Sequence, residues 1–101
     1  MKKIIFLFLL ITAMPVMAEE KNLCEEYGST AELIMQKRQS GVDISQMLKI
    51  ANSLNKKSQD VFKNMIIDAY DRPEYSSSKY RNEEIKKFKE RYYIACLKKH
   101  N

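Results

Sequence analysis

Tyr80-Arg81-Asn82-Glu83-Glu84-Ile85-Lys86-Lys87-Phe88-Lys89-Glu90-Arg91-Tyr92-Tyr93-Ile94-Ala95-Cys96 contains neither glycine nor proline, and its apolar residues recur at helical spacing. Tyr80, Ile85, Phe88, Tyr92, Ala95 and Cys96 share one face. This predicts a helix from about Lys79 or Asn82 to Lys99, with Cys96 turned inward among core residues. Glu83 and Glu84 near its start and Lys98-Lys99 at its end suit the helix dipole. The only other cysteine is Cys24, on a second helical pattern from about Asn22 to Gln39 in which Cys24, Tyr27, Ala31, Ile34, Met35 and Arg38 align. A bridge between the two would hold the first and last helices side by side. The expected fold class is therefore all-α, a small bundle of three to five helices with one disulfide joining first and last.

The intervening sequence supports this. With two glycines and two prolines in the whole chain, there are few of the breaks a sheet-rich fold needs. Gly28 is a weak point in the first helix, and Ser29-Thr30-Ala31-Glu32 has the spacing of a capping box, so a kink or restart at Ser29 is open. Gly41 stands where a left-handed C-terminal residue is wanted. Asp43 is expected to cap a second helix, with Gln46 reaching back and Val42 against Met47 as a hydrophobic staple. Ile44, Met47, Leu48, Ala51 and Leu54 are its apolar stripe, and Asn52 to Lys57 reads as a short connection. Ser58 is the expected cap of a third helix, with Asp60 in its first turn and Val61, Phe62, Met65, Ile66, Ala69 and Tyr70 buried. Pro73 disfavours helical geometry at Arg72, and residues 73–78 form the one clear loop, a suitable place for exposed functional residues.

The first eighteen residues read as a secretory signal, leaving 19–101 as a single small helical domain. Met1-Lys2-Lys3 is a short positive start, Ile4 to Ile11 is apolar, Pro15 ends the run, and Val16-Met17-Ala18 fits a signal-peptidase site. A transmembrane anchor is the competing reading, but spanning a bilayer takes about 20 apolar residues. A lipoprotein site would want small residues before Cys24, where the chain has Lys21-Asn22-Leu23. Export would place the chain in the periplasm, where disulfides persist. Two cysteines there most simply make one bridge, which would constrain the unfolded chain by about 4 kcal/mol. Free buried thiols fit a cytosolic protein better, and pairing between two copies stays open.

Charge adds a further bias. Residues 19–32 hold five acidic side chains and one basic, whereas residues 79–101 hold eight basic and three acidic. Juxtaposed, the two ends attract, although each exposed pair is worth at most about 1 kcal/mol. The net charge of +5 includes Lys2 and Lys3 of the signal, and the last helix interleaves its lysines with Glu83, Glu84 and Glu90. A solvated helix face is the expected reading of Lys86-Lys87-Lys89-Arg91-Lys98-Lys99, ahead of contact with an anionic polymer or an acidic partner. Nucleic acid is not an expected partner.

Catalytic signals are weak. His100 is the only histidine and stands next to the C-terminus. Zinc sites want three or four ligands at close spacing, which the linear sequence lacks, and it has no Gly-rich phosphate loop. Glu25, Glu26 and Glu32 share a helix, where glutamates are more often solvated than catalytic. The expectation is a non-enzyme with no cofactor.

The strings Ile34-Met35-x-x-Arg38-Gln39-x-Gly41-Val42 and Ile67-x-Ala69-Tyr70-x-x-Pro73-x-Tyr75, followed by Phe88 and Cys96 and preceded by Cys24, resemble a family of small exported proteins encoded by phages and prophages of Gram-negative bacteria. The resemblance covers essentially residues 19–101. It implies periplasmic location and phage origin and carries over no catalytic residue. Arg38, Gln39, Arg72 and Tyr75 stand out within these strings as candidate partner-binding residues, since Arg and Tyr are favoured at binding hot spots. The alternative is that Arg38 and Gln39 satisfy the last carbonyls of the first helix while Tyr75 packs the loop on the core. The leading functional expectation is a periplasmic binding or inhibitory protein acting on a host or competing-phage component. In size, signal and flanking cysteines the chain is similar in outline to spackle-type phage proteins that inhibit a tail lysozyme, without an internal motif match. A holdase-like periplasmic chaperone is the second reading and an envelope hydrolase the third. The expected partner is a periplasmic protein, with membrane contact only through the signal before cleavage.

Overall fold

The computed structural model describes residues 22–100, which form four α-helices and no strand: α1 (residues 22–39), α2 (Ile44–Asn52), α3 (Lys56–Tyr70) and α4 (Ser78–Lys99). The signal-peptide reading of residues 1–18 lies outside the described residues.

Helix α1 is continuous across Ser29; the capping-box spacing there starts no new helix. Gly28 serves a different purpose. A Cβ on it would stand 3.2 Å from Tyr93 Cβ and 3.4 Å from the Lys89 carbonyl oxygen, so the missing side chain lets α4 approach α1. At its end Gly41 has φ +81°, Gly41 N–H donates to Arg38 O at 3.1 Å and Val42 N–H to Lys37 O at 3.0 Å. This pair of bonds is a Schellman motif, and it consumes carbonyls the last turn would otherwise leave open.

Two expected caps are placed differently. Asp43 occupies the N-cap position of α2 with extended backbone, but its carboxylate makes no capping bond; the first bond there is Gln46 N–H to the Asp43 carbonyl at 3.1 Å. Helix α3 begins before Ser58, because Asn55 Oδ1 accepts from Ser58 N–H at 2.9 Å. An Asn amide oxygen caps as well as a serine hydroxyl, and using it makes Ser53 to Asn55 the whole connection. Asp60 then falls beyond the first turn. Helix α3 ends at Tyr70, ahead of Pro73, and α4 starts at Ser78, slightly earlier than expected.

Cys24 and Cys96 are bonded, with Cα atoms 5.4 Å apart, joining the start of α1 to the end of α4. These helices are antiparallel, since Glu32, later in α1, pairs with Lys89, earlier in α4, at 3.7 Å. Helix α3 also runs against α4: Tyr92 meets Asp68 and Glu84 meets Arg72. Thus α1 and α3 are parallel, and α2 packs on α3. The core draws Ala31, Ile34 and Met35 from α1, Met47 and Ala51 from α2, Met65, Ile66 and Ala69 from α3, and Phe88 from α4. Each large side chain fully removed from water contributes about 1.5–3 kcal/mol.

The helix faces depart from expectation at four points. Tyr80 is 54% exposed, Val61 41% and Ile44 of the α2 stripe 36%, and Ala95 is exposed. Tyr80 lies in the first turn of α4, beyond the core, whereas Val61 and Ala95 face a groove at the other end of the bundle. The charge asymmetry is also used less between α1 and α4 than expected. Among the described residues, the ion pairs of α4 include Glu32–Lys89 with α1, but Asp68–Arg91 with α3 and Arg72–Glu84 with the residues just after it.

Candidate functional site

The four residues singled out in the sequence come together where α1 and α3 end and α4 begins. Gln39 is nearly buried, and its amide pairs with the extended backbone of the α3–α4 connection. Its Nε2 donates to the Pro73 carbonyl at 2.9 Å, and Tyr75 N–H donates to its Oε1 at 2.8 Å. The side chain therefore bonds the loop as a neighbouring strand would, through one donor and one acceptor. Next to it the Arg38 guanidinium donates from Nε and Nη2 to the Arg72 carbonyl at 3.1 and 2.9 Å. It also stands 5.2 Å from the centroid of the Tyr70 ring and 3.7 Å from Glu74.

Arg38 and Gln39 thus do satisfy carbonyls, but those just beyond α3 rather than their own helix's. Arg72 in turn straps the end of α3 to α4. Its Nη1 donates to Glu84 Oε1 at 3.2 Å, and its guanidinium lies 5.6 Å from the Phe88 ring centroid. Its buried Nε has no hydrogen-bond partner, with Asp68 Oδ1 at 3.6 Å. Tyr70 closes the arrangement from below by donating its hydroxyl to the Val42 carbonyl at 2.5 Å. Burial raises the Tyr70 pKa, against the lowering effect of Arg38, and Asp43 and Glu74 add to the rise.

Most polar atoms of Arg38, Gln39 and Arg72 are therefore directed at the protein itself. This end presents outward an aromatic pair, the half-buried Tyr75 and the exposed Tyr80 with ring centroids 5.9 Å apart, beside the exposed Glu74 and Lys79. Tyr80 fits the period of the α4 face but stands outside the core.

At the opposite end the first turns of α1 and α3 and the last turn of α4 enclose a groove of about 890 Å³. Tyr27, Val61, Phe62 and Met65 supply the walls, and Lys57, Lys99 and His100 are the ionisable groups at its outer turns. No linear signal marks it, since it is made from three helix ends, one of them read as a short connection at Asn52 to Lys57.

Cys24, Cys96 and His100 also converge there, with ligand atoms within 4.8 Å of one another. Sequence spacing hid this grouping, which arises only when α4 folds back on α1. Both sulfurs are spent in the disulfide. Among the described residues no helix is long and apolar enough to cross a membrane. No family model, no curated protein and no solved structure matches the chain.

Proposed function

We propose that the protein is a small exported binding protein of phage or prophage type that blocks a host or competing-phage component in the periplasm. The observation that carries this reading is the held loop: Gln39 and Arg38 fix the backbone of residues 72–75 and so present the Tyr75–Tyr80 pair without further ordering. Rigid, half-exposed tyrosines are favoured anchors of protein interfaces, and a loop already fixed loses little conformational freedom when a partner docks. Arg38, Gln39 and Arg72 act as positioning residues, and the outward faces of Tyr75 and Tyr80 make the contact. A disulfide is compatible with export.

The test is plaque formation in a phage-sensitive host expressing the full-length chain, with cell fractionation of the product. Reduced plating of at least one phage, restored by Tyr80→Glu in a variant with an unchanged circular dichroism spectrum, is the expected result. Unchanged plating across a broad phage panel would overturn the inhibitory reading, and recovery in the cytosolic fraction would overturn export.

A further inference from the structure

We infer that the groove between the ends of α1, α3 and α4 binds a single-chain anionic amphiphile, a free fatty acid carboxylate of about 8–12 carbons. This goes beyond the proposed docking function and uses the opposite end of the bundle.

The lining residues are ordered along the groove. An α-helix advances 5.4 Å per turn, so position in sequence reads as depth. On α3, Lys57 lies in the outermost turn, Val61 and Phe62 one turn in, and Met65 a turn further. On α4, Lys99 and His100 are outermost, with Ala95 and Cys96 one turn in. The cations thus stand in the outer turns, with Leu23 and Leu54 beside them, and the turns further in are apolar apart from Thr30. No aspartate or glutamate lines the groove, although the chain carries 13 acidic residues.

Two kinds of complementarity follow. The interior suits an unbranched hydrocarbon, with the aromatic rings of Tyr27 and Phe62 as walls. The mouth suits a carboxylate, which Lys57 and Lys99 can meet as charged donors. The start of α3 brings the positive end of a 15-residue helix to the mouth, and the negative end of α4 there carries its own Lys98 and Lys99. A volume near 890 Å³ lies in the roughly 300–1,000 Å³ range of small-molecule sites.

The experiment uses the protein expressed from the full-length sequence and purified from the fraction in which it accumulates. Dodecanoate, decanoate and octanoate, each below its micelle concentration, are titrated against the ¹⁵N-labelled protein. Shifts confined to groove residues are expected, with affinity weakening about fourfold per methylene removed. Neutral decanol should bind more weakly than decanoate. Lys57→Glu combined with Lys99→Glu should weaken decanoate by about tenfold or more. The exposed Val61→Glu, chosen because it leaves the core intact, should abolish binding with an unchanged circular dichroism spectrum. Tyr80→Glu should leave binding unchanged, which separates this site from the loop face. Absence of groove shifts, equal affinity for decanol and decanoate, or indifference to charge reversal would overturn the proposal. So would sedimentation with phosphatidylglycerol vesicles or self-association through Val61, if either occurs without dodecanoate binding.

Discussion

Gly28 on α1 lies against Tyr93 on α4 so closely that a methyl group there would sit 3.2 Å from the tyrosine Cβ. The obstructing atoms, Tyr93 Cβ and the Lys89 carbonyl oxygen, are fixed to the α4 backbone, so relief requires the two helices to separate. Alanine gains about 1 kcal/mol of helix propensity over glycine, which offsets much of that strain. Gly28→Ala should therefore change stability by less than about 1 kcal/mol, whereas Gly28→Leu should lose about 1–3 kcal/mol or more by overpacking. Thermal unfolding of the two variants checks the contrast, and a Gly28→Leu protein as stable as the parent would show that the approach is not tight.

Gln39→Ala removes both bonds from the Pro73–Tyr75 backbone at once. The Tyr75 amide and the Pro73 carbonyl are left without their partner, a loss of about 1–3 kcal/mol, or roughly 4–8 °C in Tm per kcal/mol for a domain of this size. Gln39→Glu should be no better, since a carboxylate offers Pro73 O no donor at neutral pH. Amide hydrogen exchange at Tyr75 is the local readout, and it should accelerate in both variants.

Breaking the Cys24–Cys96 bond, by Cys24→Ala with Cys96→Ala or by reduction, frees a loop with a sequence separation of 72. The expected loss is about 4 kcal/mol in the chain-entropy description. Cys24 is fully buried, so reductant should act slowly on the native protein and quickly in denaturant. Urea denaturation with and without reductant measures the difference.

Alkaline pH should weaken the fold through two phenols. Burial, then hydrogen bonding to Asp68, raises the pKa of Tyr92; burial raises that of Tyr70. Both stay protonated in the folded protein at pH values where the unfolded chain ionises, near 10. Stability is then intact below about pH 10 and falls as pH rises beyond it, because the unfolded state releases protons that the folded state keeps. Tyr92→Phe should flatten the alkaline limb of a Tm-against-pH curve while leaving its neutral region lower by about 1 kcal/mol for the lost bond.

Much of the architecture was legible because it follows from local rules. Gly41 ends α1 with positive φ, Pro73 bounds α3, and the cysteines sit on the faces that carry Ile34 and Phe88 to the core. What was not legible depends on atoms distant in sequence. Asn55 and Ser58 offer equally good caps, and only the packed register selects Asn55. Tyr80 obeys the period of α4 yet extends past the end of the core, because periodicity gives direction but not where the neighbouring helices stop. Among the candidate site residues, Arg38 and Gln39 were found by type, but the loop groups they bond, Arg72 O, Pro73 O and Tyr75 N–H, lie 34 to 36 positions away. The groove had no linear trace, since its walls come from three separate helix ends.

The sulfur link at residues 24 and 96 also makes everything between them a covalent ring. A proteolytic nick in the exposed α3–α4 connection would leave both fragments attached, the first three helices on one and the fourth on the other. Such a nicked molecule migrates near full mass until it is reduced, and its two pieces keep a high local concentration for reassembly.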